Sequence, residues 1–94
     1  MNPYEQKKAA RIERQRASAA KLQAEGDAKV ARGSAMFDRI PFGQPIHVGH
    51  HSESADRNYR RKAHDSIGKG IELRDAAADL AARADRAEAS TAVS

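Results

Sequence analysis

Two adjacent histidines, His50 and His51, stand beside Ser52 and Glu53 in the run GHHSE, and Arg57 follows four residues after Glu53. An imidazole next to a carboxylate can move a proton or ligate a metal ion. The same residues at a helix start can instead hold a phosphate or carboxylate, because free backbone N–H groups attract anions there. Arg57 falls on the helix face of Glu53 and strengthens that anion reading. His50, His51 and Glu53 are the candidate metal ligands. No HxxxH or HExxH spacing occurs, and adjacent histidines rarely share one ion. No metal, cofactor or catalytic residue is assigned on this basis, and the reading leans away from an enzyme. A small metal-dependent or acid/base enzyme at these three residues stays as an alternative.

The next stretch, DRNYRRKAH, surrounds Tyr59 with Arg57, Arg60, Arg61 and Lys62. Those four side chains are candidate phosphate contacts, so a nucleic-acid-binding accessory protein is the other alternative. Tyr59 also begins a helical apolar stripe, which favours a core role over a stacking platform. The formal net charge is +4 and lies in the first half. Residues 1–40 hold nine Lys/Arg against five Asp/Glu, whereas residues 53–94 hold eight of each.

Long helices must position these groups. Residues 4–39 are rich in Ala, Arg, Lys, Glu and Gln, all good helix formers, and have no proline. Ile12, Ala19, Gly26, Gly33 and Ile40 recur every seven residues, with Ala9, Arg16, Gln23, Val30 and Phe37 as the second seam position. From 53 to 89, Tyr59, Ala63, Ser66, Gly70, Leu73, Ala77, Leu80, Ala84 and Ala87 keep strict four-three spacing. Ser52 or Ser54 can cap this second helix, and residues 90–94 read as a frayed tail. Gly26, Gly33, Gly68 and Gly70 each cost a helix about 1 kcal/mol relative to alanine, so close approach of two backbones is expected at all four. A hairpin centred near Ile46 pairs Phe37 with Arg57, Gly26 with Ile67, Ala19 with Leu73 and Ile12 with Leu80. Lys7, Lys8, Arg11 and Arg14 interleave with Glu5 and Glu13, and residues 74–88 alternate in sign. Both read as solvated faces with weak ion pairs.

The fold expected is all-α: an antiparallel two-helix hairpin with a long structured connection over 40–52. One alanine-rich seam buries little, so two hairpins are expected to dimerise into a four-helix bundle. Pro41, Gly43 and Pro45 end the first helix and turn the chain, and Ile40, Phe42, Ile46 and Val48 can plug the bundle end. There is no cysteine, which suits a reducing cytosol, and no signal-peptide pattern opens the chain. No apolar run approaches the roughly 20 residues of a membrane span.

The run IPFGQPIHVGHHSE with Arg57 resembles the signature of the bacterial and phage family called domain of unknown function 3560. Pro41, Gly43, Gln44, Pro45, Gly49, His50, His51, Ser52, Glu53 and Arg57 match its pattern. His47 replaces a usual aliphatic residue, and Asp56 stands where a histidine is common. The resemblance implies a short stand-alone form of the family, from a phage or mobile element and acting in the bacterial host cytosol. It implies no reaction. Gln44, His50, His51, Ser52, Glu53 and Arg57 are then the expected binding residues. The function expected is a small helical protein that meets a host or phage macromolecule through its connection and the start of its second helix.

Overall fold

The computed structural model describes residues 2–39 and 53–90. Helix α1 runs Pro3–Asp38 and helix α2 runs Glu53–Ala89. Packed side by side they form a rod about 69 Å long and 16–19 Å across. Helix α1 begins where its sequence supplies both parts of a start signal. The Asn2 side chain accepts a hydrogen bond from the Glu5 N–H at 2.8 Å, and Pro3 fills the first turn, where its missing N–H costs nothing. Helix α2 already includes Ser54, so Ser54 is not its cap. Ser52, the expected plug over 40–48 and the last tail residues, 91–94, lie outside the described residues.

The core is a line of small residues. Ile12, Ala19, Gly26 and Gly33 are the buried residues of α1, and Ala63, Gly70, Ala77 and Ala84 those of α2. Each set repeats every seven residues, as the main seam predicts. An undistorted helix drifts about 20° per heptad, so holding this repeat in contact wraps the two helices left-handedly.

The register differs from the expected one by about one helical turn. A Cβ placed on Gly26 would lie 2.7 Å from the Gly70 carbonyl oxygen, and one on Gly33 would lie 2.6 Å from that of Ala63. Gly26 therefore faces Gly70, not Ile67. The same seven-residue step sets Ala19 by Ala77 and Ile12 by Ala84, in place of Leu73 and Leu80. Matching the smallest residues on both strands of the seam is what shifts the register. Setting Gly26 against Ile67 would force the backbones apart and lose the contacts of every neighbouring layer.

Two further expectations change. Of the second seam positions in α1, Ala9, Arg16, Gln23 and Phe37 are exposed and Val30 is half-buried. Gln15, Leu22 and Met36 are half-buried instead, opposite the α2 stripe of Tyr59, Ser66, Leu73, Leu80 and Ala87, which is half-buried throughout. Gly68 also departs: a Cβ there would meet nothing within 4 Å, so it marks no close approach.

The two glycines of α2 should thus respond in opposite senses. Gly68→Ala is expected to stabilise the protein by about 1 kcal/mol through helix propensity. Gly70→Ala is expected to destabilise by about 1–3 kcal/mol, since its Cβ would strike the Gly26 carbonyl and Val30. Thermal unfolding followed by circular dichroism measures both.

Candidate functional site

Helix geometry divides the rod into two flanks beside the seam, because successive side chains turn by about 100°. One flank carries the ion pairs between helices. Arg74 Nε donates to Asp27 Oδ1 at 2.7 Å, and Arg16 Nη2 reaches both Asp85, at 3.3 Å, and Glu88. Val30, Phe37, Ile67 and Ile71 lie on this ion-pair flank. The other is the leucine flank, with Leu22, Leu73 and Leu80. There the Ser66 hydroxyl donates to the Lys29 carbonyl at 2.8 Å, and Lys8 Nζ donates to the Ser90 carbonyl at 2.9 Å.

The cross-helix pairs replace the expected pattern of independent solvated charges in α2. Arg16 was assigned to the seam by heptad spacing; it lies instead at the surface, bridging to two carboxylates of the other helix. The hydrogen bond to Glu88, and next that to Asp85, raises the Arg16 guanidinium above its ordinary pKa. It is charged across the physiological range in any case. Asp27 accepts from both Arg74 and Gln23, the latter at 3.0 Å. That places one carboxylate under two donors beside the Gly26–Gly70 contact.

Of the candidate binding residues, Gln44, His50, His51 and Ser52 lie outside the described residues. Glu53 and Arg57 are described, and they meet: Arg57 Nε donates to Glu53 Oε1 at 3.0 Å. Glu53 is the less exposed of the two, with 26% of its side chain accessible against 57% for Arg57. A carboxylate in the first turn of α2 also suits the positive end of the helix dipole. An anion arriving at this turn would meet the Glu53 carboxylate beside Arg57.

The candidate phosphate contacts divide, with Arg57, Arg60 and Arg61 at i, i+3 and i+4 on one side of α2, from the ion-pair flank to the back, and Lys62 on the other, the leucine flank. Arg61 is tied to Asn58, donating at 2.8 Å to its side-chain oxygen. Tyr59 between them is half-buried, and its hydroxyl is shut from solvent without a hydrogen-bond partner among the described residues. It borders a shallow hollow with Arg32, Met36 and Arg39 at the connection end. Among the described residues no three His, Asp or Glu side chains gather as a metal site.

These features define a class: an antiparallel two-helix coiled hairpin, closed by small residues and fastened along one flank by exposed ion pairs. The chain belongs to the family described as Domain of unknown function (DUF3560), which it matches over residues 3–94. No curated protein and no solved structure matches it. None of its helices is long and apolar enough to cross a membrane among the described residues.

The Arg74–Asp27 pair is 41% and 51% exposed, so solvent screens it. A double-mutant cycle of Arg74→Ala and Asp27→Ala is expected to give a coupling of about 0.2–1 kcal/mol, shrinking as salt rises. Urea unfolding at two ionic strengths measures it.

Proposed function

We propose that the protein is a helical binding module that works as a homodimer. Two hairpins pair along their ion-pair flanks as an antiparallel four-helix bundle. The connection and the first turns of α2 then meet a host or phage macromolecule in the bacterial cytosol.

The observation that carries the pairing is the size of the core. The buried hydrophobic side chains among the described residues are Ile12 and four alanines, and no large side chain is fully buried. Burying one methyl-sized group contributes about 0.8 kcal/mol, whereas ordering one residue costs about 1–2 kcal/mol. Helices of 36 and 37 residues need more cover than this seam provides. The ion-pair flank offers it, with Ile71 48% exposed, Phe37 37% exposed, and Val30 and Ile67 half-buried.

Charge placement suits an antiparallel pair. On this flank Arg57 and Arg60 sit near the connection, and Asp85 and Glu88 sit at the far end. A two-fold axis across the rod sets each basic end against an acidic one. The Glu53–Arg57 pair supports the second part of the reading, because it fixes two side chains where the connection enters α2. The family resemblance of the connection supports the phage or mobile-element setting.

Sedimentation velocity tests the pairing. The wild type is expected to be a dimer, Ile71→Glu a monomer with a lower melting temperature, and Ala76→Glu on the other flank still a dimer. A monomeric wild type at micromolar concentration would sink the proposal. For the partner, capture from bacterial lysate should be lost in a His50→Ala/His51→Ala variant that still dimerises.

A further inference from the structure

The formal charge of +4 conceals a division that appears only when each helix is read in the register the seam imposes. On α1 and its cap, eight of the nine Lys/Arg fall on the half that includes the leucine flank, all except Arg16. Of the five Asp/Glu, Glu13, Asp27 and Asp38 fall on the other half, Glu5 falls on the seam line seven residues before Ile12, and Glu25 alone joins the leucine half. On α2 the leucine flank presents Lys62, Lys69 and Arg83, with Asp65, Glu72, Asp79 and Arg86 on the back edge behind them. The leucine half of the rod thus holds twelve Lys/Arg against four Asp/Glu. The ion-pair half holds five against seven, and Glu5 and Asp56 lie on the seam line itself, so that the three groups together make the formal +4. One side carries a formal +8 and the other −2. Glu5 and Glu13, which interleave with Lys7, Lys8, Arg11 and Arg14 in sequence, lie on the seam line and on the other half, outside the row those cations form.

We infer that the leucine flank binds the phosphate backbone of a nucleic-acid duplex. Three observations point there. First, its cations are not used in ion pairs between helices: among the described residues every such pair lies on the opposite flank, and Lys8 alone of these cations reaches the end of α2, through the Ser90 carbonyl. Second, they form a row and not a cluster. Lys7, Arg11, Arg14, Lys21, Lys29 and Arg32 are exposed, and with Arg39 the row extends about 48 Å at 1.5 Å per residue. An extended cationic row matches an extended polyanion, and a duplex carries one charge per roughly 1.7 Å of axis. Third, the apolar residues of this flank, Leu22, Leu73 and Leu80, are half-buried in the seam. Apart from Tyr4 at one end, they leave no exposed apolar or aromatic anchor of the kind a protein interface concentrates its affinity in.

The aromatic residues select duplex over single strand. Tyr4 is 52% exposed and shares a surface hollow with Lys7, Lys8, Arg11 and Arg14. Tyr59 is half-buried in the seam. A single exposed ring at one end of the row is no platform for successive unstacked bases. The contacts are to backbone, so binding is independent of sequence and sensitive to salt. This surface is distinct from the Arg57, Arg60 and Arg61 group. Pairing through the ion-pair flank does not cover it, so the two readings fail separately.

Fluorescence anisotropy with a labelled mixed-sequence DNA duplex of about 20 base pairs, longer than the cationic row, is the test. The wild type is expected to bind, with log K falling against log salt at a slope of about −4, the value for four to five neutralised phosphates. Lys21→Glu/Lys29→Glu/Arg32→Glu is expected to weaken binding more than about tenfold and flatten the slope. Arg57→Glu/Arg60→Glu/Arg61→Glu is expected to keep it, with circular dichroism confirming the helical fold of both. No binding of the wild type near 50 mM salt would overturn the inference, as would equal loss in both variants. Tighter binding of the single strand would overturn the choice of duplex. Competition by poly-glutamate as effective as that by unlabelled duplex would assign the flank to an acidic polypeptide instead.

Discussion

The contact of the Gly26 and Gly70 backbones is the constraint on which the rest of the rod depends. Neither residue has a side chain, and a Cβ on either would lie within 2.7 Å of the other's carbonyl oxygen. Two such glycines can meet in one register only. Once they meet, the seven-residue repeat brings Gly33 to Ala63, Ala19 to Ala77 and Ile12 to Ala84. One helical turn of slip would set bulk against backbone in several layers together. The helix-propensity cost of the glycines is thereby offset by specificity, since small residues alone give little burial but a sharply defined fit.

That register also decides what each charge does. Arg74 lies close enough to reach Asp27, and Arg16 close enough to reach Asp85 and Glu88, because Gly26 and Gly70 fix how far α2 has advanced past α1. These pairs are exposed and individually weak. Their common location matters more than their strength. Most carboxylates of α1 fall off the leucine flank, those of α2 are divided between the two sides, and the leucine flank is left with an excess of lysines and arginines that face water. Composition and net charge carry no trace of this, because they average over the circumference of the rod.

Much of the scaffold was legible in the sequence. The four-three stripe of α2 named its four buried residues and the half-buried row on one side of them, and the heptad through Ile12, Ala19, Gly26 and Gly33 named the core of α1. Periodicity reports which side of a helix faces its neighbour; it does not report the axial offset between two helices. The offset depends on which small residues coincide, and that is a property of both strands of the seam together. Hence Gly26 was set against Ile67. The flanking position of α1 was misread for a related reason. Positions three and four residues from a core residue lie on opposite sides of the seam, and the polar Gln15 obscured the side that Leu22 and Met36 occupy. Gly68 shows the converse error, since a helical glycine signals tight packing only if it points at something. Of the site, the four-residue spacing set Glu53 and Arg57 on one helix face, and there they form an ion pair. Of the Arg57–Lys62 group, Arg57, Arg60 and Arg61 share one side of α2 through their three- and four-residue spacing, and Lys62 turns to the other flank because consecutive residues on a helix diverge by about 100°.

A thin rod has consequences that a thick bundle lacks. With one seam, every residue outside it is near the surface, so each flank is available to a different partner. The ion-pair flank combines exposed Ile71 and Phe37 with charges of both signs, a mixture suited to a second copy of the same surface. The leucine flank has its apolar residues drawn into the seam and a long cationic row outside. If the hairpins pair as proposed, the two-fold axis sends the cationic rows to opposite outer faces of the bundle. Each copy would then hold its row away from the other, which limits repulsion between two formal charges of +8 and leaves both rows open to an extended anion. Dimerisation and polyanion binding are in that arrangement compatible demands on one small protein, because the small-residue seam has separated them onto opposite sides of the same helices.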